Sequence, residues 1–227
     1  SPEAEVAFCG HATIALGVQL GELHGVGEYE FDIVPGSVAV EVTSESGWRV
    51  AALTSVEPKH ERMDSRRLNE YLSVLGWTVS DLDGAIPPVR AYAGAWHLVL
   101  AAATLDRLNR LEYSFSHLKT LMLEDGLTTL QLIWRESPEV IHSRNPFPVG
   151  GVVEDPATGA AAAALGGYLR DSGIIGAPAS LLVRQGEAMG RPSRLLVTIP
   201  EAGGIRVAGH AVRLPDDYPP IRHRVPA

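Results

Sequence analysis

Two short signatures place an ionisable side chain beside a glycine: Cys9-Gly10-His11-Ala12-Thr13 and Glu154-Asp155-Pro156-Ala157-Thr158-Gly159. A histidine and a carboxylate brought to one point suit general acid/base chemistry, the histidine because its pKa lies near neutrality. Each signature runs into small and apolar residues at helical spacing, so both groups would sit at helix starts. A buried helix start carries unpaired N–H donors and a partial positive charge, which stabilise a carboxylate or a developing enolate. The same residues have simpler readings. Asp155 suits an ordinary N-cap, with Pro156 in the first turn where no N–H is needed. His11 suits a hydrogen-bonded core histidine or a weak cap. Cys9 suits either a thiol acidified at an electropositive helix start or a small buried apolar residue.

A repeat argues for a joint role. The run Gly10-His11-Ala12-Thr13-Ile14-Ala15-Leu16-Gly17 reappears 149 positions later as Gly159-Ala160-Ala161-Ala162-Ala163-Ala164-Leu165-Gly166. The spacing predicts one helix from Gly10 to about Gly25 and another from about Ala157 to Arg170, stopping near Gly173. Three alternating segments follow each helix. After the first come 29–34, 37–42 and 48–53, separated by Pro35-Gly36 and Ser46-Gly47 turn signals; after the second come 180–184, 194–199 and 205–209. Alanine and glycine along 160–167 leave room for backbone on every side, as for a helix enclosed by a curled sheet.

Between the copies, Asp64 to Gly76 reads as an amphipathic helix with Asp64 as N-cap, and Pro87-Pro88 as a domain boundary. Strands are expected at 89–93, 96–101, 127–134 and 139–143, with helix over 104–124 broken near Ser114. About 70 residues of strand and helix thus precede the second central helix, counted from the Pro87-Pro88 boundary. Only nine precede the first. If the halves are true repeats, roughly 60 residues of the first have no counterpart in this sequence. The alternative is a divergent first half that is simply smaller.

Several classes of function are excluded or disfavoured. No apolar run approaches the roughly 20 residues of a membrane span. A net charge of −8, without Lys/Arg clusters, argues against nucleic acid. The single cysteine rules out an internal disulfide and suits a reducing compartment such as the cytoplasm. The eight histidines show no His-x-x-x-His or Cys-x-x-Cys spacing, so no metal site is expected. No phosphate loop or Gly-x-Ser-x-Gly elbow occurs, and Gly25-Val26-Gly27 reads as a turn rather than a dinucleotide fingerprint. Arg144 and Arg191 read as surface or ion-paired residues rather than substrate clamps.

Three segments in order, 5–13, 151–159 and Gln185-Gly186-Glu187-Ala188-Met189-Gly190-Arg191-Pro192-Ser193, resemble the PhzF-like, phenazine biosynthesis-like family over essentially the whole chain. The family is similar in fold to diaminopimelate epimerase. The resemblance implies an α+β protein of two pseudo-symmetric lobes, each a curved mixed β-sheet wrapped around a central helix, with the first lobe incomplete here. Residues 1–86 would form the first lobe, joined by strand 205–214, and 87–204 the second. It further implies a homodimer and a cofactor-independent isomerase that moves a proton between carbons of a small carboxylate-bearing metabolite. His11 and Asp155 would then be catalytic, and the backbone at Gly10, Gly159 and Ala160 would bind the substrate carboxylate.

Two departures bear on this. The family's principal acid/base is a glutamate upstream of the Cys-Gly-His signature, a position this sequence does not reach. Ala160 stands where many members have serine, which removes a hydroxyl. The expectation for this chain by itself is an incomplete first lobe without proton transfer. The competing reading is a metabolite-binding protein that lacks catalysis. Two-cysteine racemisation, used by epimerases of the same fold, is excluded for this chain because Cys9 has no second-half partner.

Overall fold

The computed structural model describes residues 9–33 and 36–213. Residues 5–8 of the first signature, the turn residues 34–35 and the end of the expected strand 205–214 lie outside that set. The first block is α1 (Gly10–His24), β1 (Gly27–Ile33), β2 (Gly36–Glu45) and β3 (Trp48–Thr54). Next come β4 (Lys59–Arg62), α2 (Ser65–Val74), β5 (Val89–Tyr92), β6 (Trp96–Ala101), α3 (Leu105–Asn109), α4 (Phe115–Glu124), β7 (Thr129–Arg135), β8 (Val140–Phe147) and β9 (Val152–Asp155). The second block is α5 (Gly159–Asp171), β10 (Ala179–Gln185), β11 (Ser193–Ile199) and β12 (Arg206–Gly209).

Both predicted helix-plus-three-strand blocks form, and each set of three strands is an antiparallel meander. The meanders meet last strand to last strand. Thr54 of β3 lies opposite Arg206 of β12, and Ala51 opposite Gly209. Such a seam relates the two blocks by an approximate two-fold axis. It also merges both lobes into one sheet among the described residues, ordered β1-β2-β3-β12-β11-β10-β8-β7-β6-β5-β4, with β9 attached to β8. The C-terminal strand therefore hydrogen-bonds to both lobes at once.

Around α5 the sheet curls. β11 and β12 touch this helix, and so do β4, β5 and β6 from the other end of the strand order. Strands so far apart in one sheet reach the same helix only if the sheet wraps it. The alanines permit this: Ala161 through Leu169 are all buried. A Cβ on Gly167 would run into the Pro58 ring. Tyr168 donates its hydroxyl to the Pro87 carbonyl at 2.7 Å and meets His60 edge-on. A second apolar layer lies on the outer face of β6 and β7, where Leu98, Leu100, Leu130 and Leu132 pack with Tyr71 and Leu72 of α2 and Leu118 and Met122 of α4.

Asp64 caps α2 as the sequence predicts, accepting from the Arg66 and Arg67 N–H groups at 2.9 and 3.2 Å. The helical stretch 104–124 is divided, with α4 starting after Ser114. β4 pairs with β5 and α2 packs on β6 and β7, so the chain crosses to the second lobe's side near Pro58, ahead of Pro87-Pro88. Two strands have no sequence signal. β4 is the charged run Lys-His-Glu-Arg, fixed by pairing with β5. β9 is a four-residue strand inside the second signature, fixed by pairing with β8.

Candidate active site

β9 delivers Asp155 to the mouth of the second lobe. Its register sets Asp155 opposite Asn145 of β8, and the preceding Glu154 is gripped by Arg144 through two contacts of 3.0 and 2.6 Å. Glu154 is nearly fully buried, so this two-pronged pair fixes the end of the strand. Arg144 is thus ion-paired, as its sequence reading expects. From Asp155 the chain turns through Pro156 and Ala157 to Thr158, the N-cap of α5. Gly159 and Ala160 are the first two residues of that helix, and Gly10 is the first of α1.

The two helices touch. This brings His11, exposed at the start of α1, to the second signature. Its pKa is raised above the usual histidine value, first by the contact with Cys9, and further by the charge of Asp155 and the backbone of Ala157; desolvation opposes the shift. The Cys9 thiol is moved down, chiefly by its contact with His11 and with help from the Ala12 amide, against desolvation and the charge of Asp155. Cys9 Sγ lies 3.6 Å from His11 Nε2 and 3.7 Å from Nδ1. His11 thus lies against Cys9, and the charge of Asp155 reaches both. Cys9 is half-buried and in polar contact, which favours its acidified-thiol reading over that of a buried apolar residue.

Neither N-cap side chain makes a capping hydrogen bond, although the Ala12 amide of α1 faces the Cys9 thiol. Cys9 makes no capping bond to α1, and Thr158 makes none to α5. The Thr158 hydroxyl donates instead to Asp155 Oδ2 at 2.6 Å. Behind it stands Gln185 at the end of β10, nearly fully buried, which donates to the Asp155 carbonyl at 2.7 Å and to Thr158 Oγ1 at 3.0 Å, and accepts from the Thr158 N–H at 3.1 Å. Gly186 follows with φ +78, and a Cβ there would meet the Arg191 carbonyl and, at 2.9 Å, that of Pro156. The third signature is thus packed against the back of the second. Thr158 and Gln185 lie within the signatures, but nothing local in the sequence gives them a role. Only their position beside Asp155 reveals one.

The arrangement can hold an anion against backbone N–H groups at the helix starts, with the imidazole of His11, the thiol of Cys9 and the carboxyl group of Asp155 nearby. Among the described residues no group of three or more His, Cys, Asp or Glu side chains is placed to hold a metal ion, and no helix is long and apolar enough to cross a membrane. His97 lies apart, fully buried on β6 against Thr129, with burial pushing its pKa down to about 3.

Known proteins resemble this chain in sequence and in fold. An uncharacterized isomerase of Deinococcus radiodurans is 29% identical over 215 residues, which cover 91% of this chain and 69% of that protein. The trans-2,3-dihydro-3-hydroxyanthranilate isomerase of Pseudomonas fluorescens is 28% identical over 197 residues, covering 85% of this chain and 66% of that enzyme. A predicted epimerase from Pseudomonas aeruginosa superposes with a TM-score of 0.80 at 25% identity, over 92% of this chain and 73% of that one. A hydroxyproline epimerase from Agrobacterium vitis, 12% identical, has a TM-score of 0.57 over 87% of this chain and 62% of its own, a likeness of fold. The fold is the α+β, diaminopimelate epimerase-like one. With paired helix starts at its centre and the phenazine biosynthesis-like family profile matching residues 1–216, the chain belongs to that family, among isomerases.

Proposed function

We propose that the protein isomerises a small carboxylate-bearing metabolite by moving a proton between carbons, without a cofactor, at the junction of the two helix starts. The observation that carries this reading is that His11 at the start of α1 feels the charge of Asp155, which lies in the loop before α5, where two helix starts without a capping hydrogen bond meet. Backbone N–H groups at Gly10, Gly159 and Ala160 hold the carboxylate and the negative charge that develops when a proton leaves carbon. His11 donates or accepts the migrating proton, and Asp155 stabilises its imidazolium form. The proton removed from one carbon returns to another while the double bond shifts between them, so atoms balance without a redox partner. The trans-2,3-dihydro-3-hydroxyanthranilate isomerase relative suggests a cyclic unsaturated amino acid as one substrate type. A homodimer in the cytoplasm is the assembly and setting that accompany this reading.

The test is a panel of small carboxylic acids incubated in deuterated water with protein expressed from its native start. One of them is expected to take up deuterium at a single carbon. His11→Ala and Asp155→Ala should each slow that uptake by about a hundredfold or more, the usual worth of a positioned acid/base. Tight binding of a metabolite with no uptake by the wild type would establish the binding-protein reading instead.

A further inference from the structure

Thr158 occupies the N-cap of α5, where a threonine hydroxyl ordinarily accepts from the N–H of the second or third helical residue. In this protein it does not. Its oxygen instead accepts from Gln185 Nε2 at 3.0 Å, and its hydrogen points to Asp155 Oδ2 at 2.6 Å. The proton and one of the two lone pairs of the hydroxyl are thereby engaged away from the helix, which fixes the side chain's rotation. Gln185 is itself held. Its second amide bond goes to the Asp155 carbonyl, its oxygen takes the Thr158 N–H, and Gly186 behind it sits too close to Arg191 and Pro156 to admit a side chain.

From this geometry we infer that Gln185 is a positioning residue: by holding one lone pair of the Thr158 hydroxyl it keeps the side chain turned away from its helix, which leaves α5 uncapped for an anionic substrate and aims the hydroxyl's proton at Asp155. The inference rests on the proposed carboxylate site for its functional meaning. It assigns the third signature a task, since Gln185 and Gly186 are the part of that segment that touches the 155–158 loop. Without Gln185 the Thr158 side chain is released to turn an acceptor lone pair to its own helix. The N–H groups of Ala160 and Ala161 then have an internal acceptor that competes with the ligand.

Amide hydrogen exchange on the full chain tests this without any substrate. In Gln185→Leu the Ala160 or Ala161 N–H should exchange roughly three- to tenfold more slowly, the worth of one added neutral hydrogen bond. Adding Thr158→Val removes the hydroxyl and should return exchange to the wild-type rate. Gln185→Glu keeps an acceptor for the Thr158 N–H but, when ionised, has no donor, and should behave as the leucine variant does. The affinity for benzoate, used as a carboxylate probe, should fall by a similar factor in Gln185→Leu and recover in the double variant. Unchanged exchange in Gln185→Leu and Gln185→Glu, or exchange that stays slow in the double variant, overturns the role given to Gln185. Wild-type protein that does not bind benzoate counts against the carboxylate site, while the exchange rates still decide on Gln185.

Discussion

α1 and α5 descend from matching stretches of sequence yet live in different surroundings. Leu16 is 48% exposed, and Leu165, its counterpart, is fully buried. Ala12 and Ala15 of α1 face solvent, whereas Ala161 and Ala164 of α5 are enclosed. Along α1 only Gly17, Val18 and Gly21 are buried, beneath β2 and β3. Along α5 nine consecutive residues are. Small residues allow a helix to be enclosed; the strands around it decide whether it is. The candidate site lies where the two environments meet, with Asp155 on the side of the enclosed helix and His11 and Cys9 on the side of the more exposed one.

Sister substitutions test that contrast most directly. Leu165→Ala should destabilise the protein by about 2–5 kcal/mol in denaturant unfolding, because the cavity is walled on all sides. Leu16→Ala should stay within about 0.5 kcal/mol, as for an exposed site. Comparable losses at both positions would mean that α1 is covered in solution.

The histidines give a second contrast. His97 in the second lobe has its pKa lowered to about 3 by burial. Its unfolded form gains a proton below about pH 6.5 while the folded form does not, so stability is full above that pH and is lost as pH falls towards the folded value. The loss should approach about 1.4 kcal/mol per pH unit below 6 and should vanish in His97→Gln, as measured by urea titration from pH 7.5 to 5. His11, raised rather than lowered, has the opposite sign. Its contribution is full below the unfolded value and fades as pH rises through the folded one.

The smallest difference between sister positions is expected at Gly17 and Gly166. A Cβ on Gly17 would come within 2.7 Å of Val40 Cγ1, whereas on Gly166 the nearest atom, Val197 Cγ1, is 3.1 Å away. Alanine gains about 1 kcal/mol of helix propensity over glycine at either place. Gly166→Ala should therefore be close to neutral, and Gly17→Ala should lose about 1 kcal/mol net through overpacking. The reverse order in thermal melts would show that the exposed helix relaxes where the enclosed one cannot.

Elements whose information is local were legible in the sequence. The two central helices, their three-strand followers, the Asp64 cap and the break at Ser114 all follow from period, turn residues and capping chemistry. β4 and β9 were not, because a charged edge strand and a strand embedded in a motif owe their form to partners distant in sequence. Within the site, His11 and Asp155 could be nominated from type and position. Thr158 and Gln185 could not be given a task, since the bonds that define it join β9, α5 and β10.

By itself, then, the sequence determined the duplicated helix-and-meander unit, the ionisable residues at its helix starts and the small-residue surface that makes enclosure possible, for these depend on neighbours a few positions away. Tertiary structure decided the rest. The seam between β3 and β12 joined the units, the curl of the sheet enclosed α5 but not α1, and the Gln185 contacts fixed where one hydroxyl points. Each of these is a contact between residues far apart in the chain, and no local period or propensity encodes which partner will be found.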